Sequence, residues 1–412
     1  MKKQKQIVIG IVCTAMGLTA PMASVYGAVT AGTGYVQSGP GVGLGPAGSG
    51  STADGRSPDA ADYAATGGTA QGAMTIRTDV PAGYVNSGAL EVENPIVKTP
   101  DMYTYDFLVH DINALSARYG SKLRTQVIGT TPDGRSIYEL SIGNQSAGTH
   151  ILINASIHAR EYITSNLVMK QLEYLLAYQD TGSFDGMPLR DWLSRVCIHF
   201  VPMINPDGVS ISQFGIDGLK NQQYQNLVKK AYEDDTAAGR TNLPFERYTE
   251  RWKANARGVN LNQNFDVDFA NASGKATSAS ADSYRGPYAG SEPETQAMAK
   301  LIRGRHWKAI LNYHSMGNIL YWDVAGNPLR EHCRDLANNL MVLTSYPLRA
   351  AGGGGGMKEY AQLSNDSAVS ITLEIGSSEA PVNPAEMPTL WAQNKFVPLY
   401  TMKWAAEKGK EC

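Results

Sequence analysis

The sequence has few cysteines, no excess of either charge and no long apolar run beyond its first residues, and each absence excludes a class of protein. Of its four cysteines, Cys13 lies in the apolar N-terminal segment. Removal of that segment leaves Cys197, Cys333 and Cys412, an odd number that argues against a disulfide framework or a cysteine-rich metal site. Cys197 precedes an apolar run and is interpreted as a small buried side chain, whereas a Cys333–Cys412 pair is left open.

The charge balance excludes recognition through a large charged surface. Lys and Arg number 36 and Asp and Glu number 38, which gives a formal net charge of -2 with both signs interspersed. Such a chain has no basic face for nucleic acid and no polybasic membrane anchor. We therefore expect no nucleic-acid partner and a substrate that is recognised locally.

The N-terminus is typical of a secretory signal peptide. Three lysines within residues 1–5 precede an apolar stretch from Ile7 to Leu18, and small residues follow at Gly27 and Ala28. The apolar stretch is short for a membrane span. We predict a signal peptide at residues 1–28 and a protein that is secreted or associated with the cell wall, with no membrane attachment after cleavage.

Residues 29–100 are predicted to be a linker or pro-segment. Most of this stretch is rich in Gly, Ala, Ser and Thr and has no sustained periodicity. Two similar fragments, at residues 34–39 and 83–88, could be remnants of wall-binding modules, but the composition favours a low-complexity spacer.

The remainder, residues 101–412, alternates between helix-like and strand-like patterns and is predicted to be the catalytic domain. Apolar residues at helical spacing predict a helix from Tyr105 to Tyr119, and a turn at Thr131–Gly134 separates two strands. This alternation favours an α/β fold with a largely parallel or mixed sheet between helices. The other predicted strands are 151–155, 198–204, 309–313 and 370–375, and the other predicted helices are 165–178, 294–305 and 331–343.

Four side chains with metal-binding or acid–base chemistry follow the ends of three predicted strands. His158 and Glu161 follow the first, His314 ends the second and Glu374 lies near the end of the third. In α/β folds, ligands collect at the carboxyl ends of strands, so these side chains are expected to meet. Two histidines and a glutamate suit a catalytic zinc ion with one position open for water, which leaves Glu374 as a base.

The other five histidines are interpreted as structural or surface residues. His110, His306 and His332 lie in helix-like segments and are expected at the surface, whereas His150 and His199 lie at or in strands. We interpret these last two as structural residues with their hydrogen bonds satisfied.

Seven short motifs, in order along the chain, resemble those of the zinc carboxypeptidase family, the metallocarboxypeptidases of the carboxypeptidase A type. The resemblance covers roughly residue 101 to the C-terminus. The motifs are His158-Ala159-Arg160-Glu161, Asn205-Pro206-Asp207-Gly208, Gly258 to Phe265, Tyr284-Arg285-Gly286, Ser291 to Thr295, Asn312-Tyr313-His314-Ser315 and Thr372-Leu373-Glu374.

The resemblance implies both a fold and a set of catalytic residues. The fold would be α/β, with a central mixed, mostly parallel eight-stranded sheet flanked by helices. One Zn²⁺ per chain would be held by His158, Glu161 and His314, and Glu374 would be the general base. The partner would be a peptide substrate.

Two departures from the family pattern affect the substrate. The family's arginine that steadies the oxyanion follows a tryptophan, and here Trp252 is followed by Lys253, so either Lys253 or Arg257 could provide the cation. The Trp-Lys form is similar to bacterial members that act on cell-wall peptides. The family's Asn-Arg clamp for a terminal carboxylate aligns with Asn262 and Gln263, which removes a cation.

Three further residues take substrate-binding roles by analogy. Arg160 is the nearest cation that could replace the lost clamp. Tyr346 aligns with a mobile tyrosine that caps the substrate, and the run Gly352–Gly356 is expected to form either a flexible lid or a plain loop. Lys358 falls near the pocket-floor position, which predicts an acidic group in the substrate.

Three interpretations of function remain. The favoured one is a secreted zinc metallopeptidase that cuts γ-D-glutamyl–diamino acid bonds in peptidoglycan stem peptides. The second is a general extracellular metallocarboxypeptidase that releases C-terminal amino acids. The third, a cell-wall peptide-binding protein without catalysis, is suggested only by Gln263.

Overall fold

The computed structural model describes residues 91–350 and 354–408. The predicted signal peptide at 1–28, both Gly-Tyr fragments, residues 351–353 of the glycine-rich segment and Cys412 lie outside the described residues.

Ten strands are present in the described part of the chain, and eight of them form one sheet. In chain order they are β1 (Arg124–Thr130), β2 (Ser136–Gly143), β3 (Thr149–Ala155), β4 (Ser183–Phe184), β5 (Met187–Pro188), β6 (Val196–Val201), β7 (Ala309–His314), β8 (Ile319–Asp323), β9 (Leu348–Ala350) and β10 (Val369–Glu374).

The helices pack on both faces of that sheet. They are α1 (Tyr105–Tyr119), α2 (Ile163–Tyr178), α3 (Leu189–Arg195), α4 (Pro206–Phe214), α5 (Gln222–Ala237), α6 (Phe245–Glu250), α7 (Pro293–Arg303), α8 (Arg330–Thr344), α9 (Met357–Leu363), α10 (Met387–Asn394) and α11 (Val397–Lys408), with short 3-10 turns between some of them.

The strand order is β1-β2-β6-β3-β7-β10-β8-β9, and the central strands β6, β3, β7 and β10 run parallel. The outer pairs β1–β2, β2–β6 and β10–β8 are antiparallel, and β8–β9 is parallel. The predicted mixed, mostly parallel sheet is confirmed. This order places the carboxyl ends of β3, β7 and β10 side by side.

Alternation along β3 divides the core into two clusters. Ile151 and Ile153 point into a large cluster that includes residues of α2, α8, α10 and α11. Leu152 points to the other face, where it joins residues of α7 and α9. Because side chains of a strand alternate between faces, one apolar run supplies both cores.

Helix α1 shows why its bounds could be read from the sequence. The Thr104 hydroxyl accepts a hydrogen bond from the Phe107 backbone N–H and caps the first turn. Leu108, Ile112 and Leu115 form the buried face at helical spacing. Gly120, at φ 57°, adopts a positive backbone angle that favours glycine, and the helix ends there.

The packed region reaches back at least to Glu91, earlier than the predicted boundary at residue 101. The Glu173 carboxylate of α2 accepts hydrogen bonds from the backbone N–H groups of Ile96 (2.7 Å) and Val97 (2.8 Å). Val97 is buried in the large core cluster. Residues 91–100 therefore belong to the folded part rather than to a linker.

Among the described residues, none of the helices combines the length and the apolar character needed to cross a bilayer. Cys197 and Cys333 are both buried free thiols, as interpreted for Cys197.

Candidate active site

A tight turn after β3 brings His158 and Glu161 together. Ser156 adopts a positive φ of 49°, which reverses the chain at the end of the strand. Its buried hydroxyl donates to the Glu161 carbonyl at 3.2 Å and also contacts Thr164 and Ser165. Within this turn the His158 Nδ1 atom lies 2.8 Å from Glu161 Oε1.

The third candidate ligand, His314, ends β7 and enters the same space. Its Nδ1 atom lies 3.1 Å from His158 Nδ1 and 3.1 Å from Glu161 Oε2. The Ser315 backbone N–H donates to the same Glu161 oxygen at 3.2 Å. We call His158, Glu161 and His314 the catalytic cluster; all three are buried.

This geometry fits a zinc ion. The ligand atoms of the catalytic cluster all lie within 4.8 Å of one another. Two ligands at zinc–nitrogen distances of 2.0–2.1 Å in a tetrahedron lie about 3.3 Å apart, close to the separation of the two histidine nitrogens. Two imidazole nitrogens and a carboxylate oxygen are ligand types that zinc favours.

The ionisation of the cluster suits metal binding. Burial lowers the pKa of His158 to about 4, so its ring is neutral. Burial acts to raise the pKa of Glu161, but the two histidines outweigh it and hold that pKa well below its usual range. Burial likewise acts to lower the pKa of His314, and Glu161 reverses this and raises it.

Glu374 lies beside the cluster because of the sheet register. On β10, Glu374 pairs with His314 of β7 in the parallel ladder. Burial and, to a smaller extent, the neighbouring Glu161 raise the pKa of Glu374 to about 7, against the lowering effects of His314, Lys253 and Arg160. The side chain thus has a carboxyl group poised between its two protonation states near neutral pH.

Two cations, Lys253 and Arg160, act on Glu374, and Asp282 forms an ion pair with Lys253. Lys253 Nζ lies 3.4 Å from Asp282 Oδ1, and the Lys253 carbonyl accepts from the Ala159 N–H in the zinc turn at 3.1 Å. Burial acts to raise the pKa of Asp282, but Lys253 and Arg160 lower it overall. The sequence offered no signal for Asp282, because it lies in an irregular loop outside the family motifs.

Arg257 has different neighbours. Its guanidinium lies 3.8 Å from the Glu292 carboxylate and is partly exposed. The groups that act on its pKa are Tyr224, Glu292 and Glu294, and none belongs to the catalytic cluster. Of the two cations left open by the sequence, the structure brings only Lys253 next to the cluster.

Asn205 connects the two loops that carry the site. It caps α4, and its Nδ2 atom donates to the carbonyls of Ile157 (3.2 Å) and Ala254 (3.0 Å). It thereby ties the turn that carries His158 to the loop that carries Lys253. The sequence motif identified Asn205 without assigning it this role.

The residues aligned with the carboxylate clamp have internal partners. Asn262 accepts from the Met357 N–H at 2.9 Å, and Gln263 Nε2 donates to Ser273 Oγ at 3.1 Å. Gly355, from the predicted lid, packs against the Gln263 backbone and donates to the Val267 carbonyl at 2.7 Å. The described part of the glycine-rich segment is therefore bonded to the Gln263 loop.

The predicted substrate contact of Tyr346 requires correction. Its side chain is 1% exposed and lies in the large core cluster. Its hydroxyl donates to Gln393 Oε1 at 2.9 Å and accepts from Asn394 Nδ2 at 3.0 Å. These contacts hold the ring inside the core, where it cannot act as a mobile cap.

Lys358 is buried and already paired. Its Nζ atom lies 2.8 Å from Glu359 Oε1 and 3.1 Å from the Asp323 carbonyl. The predicted acidic group of a substrate would have to compete with Glu359.

A second cluster lies at the other end of β3. His150 Nδ1 is 3.0 Å from His199 Nε2, and Cys197 Sγ lies within 4.8 Å of both. Burial lowers the pKa of His150 to about 4 and raises that of the Cys197 thiol to about 12. We call these three residues the amino-end cluster. Both histidines have hydrogen-bond partners, as expected of structural residues, but their proximity to Cys197 was not foreseen.

The comparisons with known proteins agree with the geometry. A family model described as zinc carboxypeptidase matches residues 108–397. The gamma-D-glutamyl-L-diamino acid endopeptidase 1 of Lysinibacillus sphaericus is 28% identical over 305 residues, which cover 72% of each protein. Carboxypeptidase A6 of Homo sapiens is 26% identical over 47% of this chain and 38% of that protein. The structure of carboxypeptidase A from Helicoverpa armigera shares the fold, with a TM-score of 0.58 and 18% identity over 79% of each chain.

Proposed function

The chain belongs to the zinc carboxypeptidase family and is a zinc metallopeptidase, and we propose that it is secreted and cleaves γ-D-glutamyl–diamino acid bonds in peptidoglycan stem peptides. One observation supports the substrate class: Gln263, a neutral amide that donates to Ser273, aligns in sequence with the arginine that clamps a terminal carboxylate in the family. The similarity to an endopeptidase that is named for this bond supports the same assignment.

His158, His314 and Glu161 would hold the zinc ion, through their imidazole nitrogens and the carboxylate. When bound there, zinc lowers the pKa of water and polarises the scissile carbonyl. Glu374 accepts the proton of the attacking water and delivers it to the nitrogen of the leaving amine. Its pKa near 7 suits both steps, because the group must take up and release a proton in one cycle.

Lys253 stabilises the negative charge that develops on the carbonyl oxygen. A cation held in place before the reaction stabilises the transition state without further reorganisation. Asp282 holds the Lys253 ammonium, and Asn205 fixes the loop that carries it. Lysine provides a point charge here, whereas arginine would provide a planar pair of donors.

Arg160 binds a carboxylate of the substrate, which in a γ-linked peptide is the free α-carboxylate of D-glutamate and is present whether or not the C-terminus is amidated. It lies within the zinc turn, and its Nη1 atom donates to the Arg251 carbonyl at 3.2 Å. Its buried Nε atom has no hydrogen-bond partner among the described residues. A carboxylate near this atom would satisfy it with a charge-assisted bond.

Four peptides test the substrate class. Two carry a diamino acid on the γ-carboxyl of D-glutamate and two carry it on the α-carboxyl of L-glutamate, each with a free or an amidated C-terminus. We expect the zinc-loaded protein to cleave both γ-linked peptides, amidated or not, because Gln263 does not require a terminal charge. Mass spectrometry identifies the bond, and Glu374→Gln is the inactive control.

The alternative is a general metallocarboxypeptidase that releases C-terminal amino acids. Release of the terminal residue only from peptides with a free carboxylate, whatever the glutamyl linkage, would establish that alternative and refute the stem-peptide assignment.

A further inference from the structure

We propose that the amino-end cluster is a second metal site, in which His150 Nδ1, His199 Nε2 and Cys197 Sγ bind one zinc-type divalent ion. This proposal does not depend on the substrate of the peptidase.

The donors come from two adjacent strands rather than from loops. In the parallel ladder between β3 and β6, His150 pairs with Cys197 and Leu152 pairs with His199. His150, Cys197 and His199 share one face of the sheet because side chains alternate along a strand. The backbone hydrogen bonds of the sheet therefore hold all three donors in register, as a metal site requires.

The separation of the nitrogens matches that of the catalytic cluster. The His150 and His199 nitrogens lie 3.0 Å apart, and the two histidine nitrogens of the catalytic cluster lie 3.1 Å apart. In both clusters the third ligand atom lies within 4.8 Å of the nitrogens. Two histidines and a thiolate are a donor set that zinc and copper favour.

The surrounding residues orient the donors. Glu139 Oε1 lies 2.5 Å from His199 Nδ1 and accepts its N–H, so the Nε2 lone pair faces the centre of the cluster. Metal-binding histidines usually have such a carboxylate on the second nitrogen. Gln145 Nε2 donates to Cys197 Sγ at 3.1 Å, a contact that favours the thiolate needed for binding.

The positively charged guanidinium of Arg305 lies between the two histidine nitrogens, where the metal ion would bind. Its Nη1 atom lies 2.8 Å from His199 Nε2 and 3.1 Å from His150 Nδ1. The side chain is half-buried, follows α7 in a loop and stacks on Trp307 at 5.4 Å. The metal and the guanidinium would exclude each other, and Arg305 can leave towards solvent.

The charge of the site balances in this exchange. A divalent ion enters with two positive charges, the Cys197 thiol releases its proton to solvent, and the guanidinium moves out with one positive charge. The cluster gains no net charge, which limits the cost of placing an ion in a buried position. Catalysis is not expected there, because Glu139 is occupied by His199 and no second carboxylate contacts the ligand atoms among the described residues.

Cobalt titration of the purified protein tests the site. A cysteine ligand gives thiolate-to-cobalt charge-transfer absorption, and the catalytic cluster contains no sulfur. We expect two equivalents of Co²⁺ per chain, one of them with this absorption. Cys197→Ser should lose the absorption and one equivalent and keep the peptidase activity, whereas Cys333→Ser, at another buried free thiol, should keep both.

Three variants extend the test. Arg305→Ala should bind the second equivalent more tightly, because the competing cation is gone. Glu139→Gln should weaken it by about 10–100-fold, as expected for loss of a carboxylate partner. His150→Gln replaces Cys197→Ser if the latter does not fold. One equivalent without charge-transfer absorption in both the wild type and Arg305→Ala would overturn the proposal, as would absorption that persists in Cys197→Ser.

Discussion

The catalytic cluster and the amino-end cluster lie at opposite ends of β3 and have nearly the same arrangement of nitrogens. His150 lies near the start of the strand and His158 follows its end, and each lies about 3 Å from a second histidine nitrogen. The clusters differ in what surrounds them. The catalytic cluster has Glu374 beside it and Lys253 held nearby by Asp282. In the amino-end cluster, Arg305 lies between the two histidine nitrogens, and the Glu139 carboxylate is bonded to the far nitrogen of His199.

A set of metal ligands is therefore not by itself an active site. Parallel strands end at the catalytic side in loops, which can bring a base and a cation to the metal without filling the substrate's space. At the amino end the ladder of β3 and β6 supplies rigid donors and little else. We expect the residues around each cluster, rather than its metal ligands, to determine whether it is catalytic, and the following predictions test that expectation.

The largest effect is expected from Glu374→Gln. Glutamine keeps the shape but cannot accept the proton, so kcat should fall by about 10²–10⁴-fold while zinc remains bound. Steady-state kinetics and metal analysis measure both quantities. Activity within a few-fold of the wild type would show that another group is the base and that Glu374 does not distinguish the two clusters.

Lys253→Ala should lower kcat by about 10²–10³-fold, the usual cost of removing one group that stabilises an oxyanion. Arg257→Ala is the matched control, because Arg257 contacts Glu292 and not the cluster. Asp282→Asn should have a smaller effect, since it keeps Lys253 and only loosens its position. If Arg257→Ala lowers kcat more than Lys253→Ala does, the assignment of the cation is reversed.

Gln263→Arg should change specificity more than rate. The new guanidinium restores a cation where relatives clamp the terminal carboxylate, so peptides with a free C-terminus should gain in kcat/KM relative to their amides. The ratio of the two kcat/KM values is the measurement. An unchanged ratio in Gln263→Arg would mean that this loop does not contact the substrate's C-terminus. In that case Gln263→Lys, which also adds a cation, should leave the ratio unchanged as well.

The smallest effect concerns Glu294, a buried carboxyl that lies in neither cluster. Burial, with smaller contributions from nearby Asp207 and Glu292, raises its pKa to about 8. The folded state therefore keeps a proton that the unfolded chain releases, so this group's contribution to stability falls as pH rises between about 4.5 and about 8. The decline in the free energy of unfolding amounts to roughly a few kcal/mol, because each unit of pKa difference corresponds to about 1.4 kcal/mol. Glu294→Gln should remove it.

Urea unfolding of the wild type and of Glu294→Gln at about pH 5 and about pH 9 measures this decline. The other titrating groups are the same in both proteins, so their contributions cancel when the two changes in unfolding free energy are subtracted. An identical loss of stability in both proteins would show that Glu294 is ionised in the folded state. Burial alone would then not determine the charge of a carboxyl in this protein.

Local patterns in the sequence determined most of the fold and of the catalytic cluster. Helix α1 was predicted with its observed bounds from the spacing of its apolar residues, and the structure shows that a capping threonine and a terminating glycine flank those same residues. The positions of His158, His314 and Glu374 at strand ends were readable because apolar runs mark strands and carboxyl ends meet at one edge. Tyr346 was given a substrate role by alignment alone, and alignment does not reveal that its side chain packs in the core.

The sequence by itself determined the candidate ligands, the candidate base and the strands that carry them, because each depends on a motif or a period within a few residues. Only the tertiary structure brought Lys253 rather than Arg257 beside the catalytic cluster, introduced Asp282, placed Lys358 against the Asp323 carbonyl and joined His150 to Cys197 and His199. Those contacts depend on strand order and loop packing. Residues distant in sequence become neighbours there because the sheet must bury both faces, and no local pattern records which strands will be adjacent.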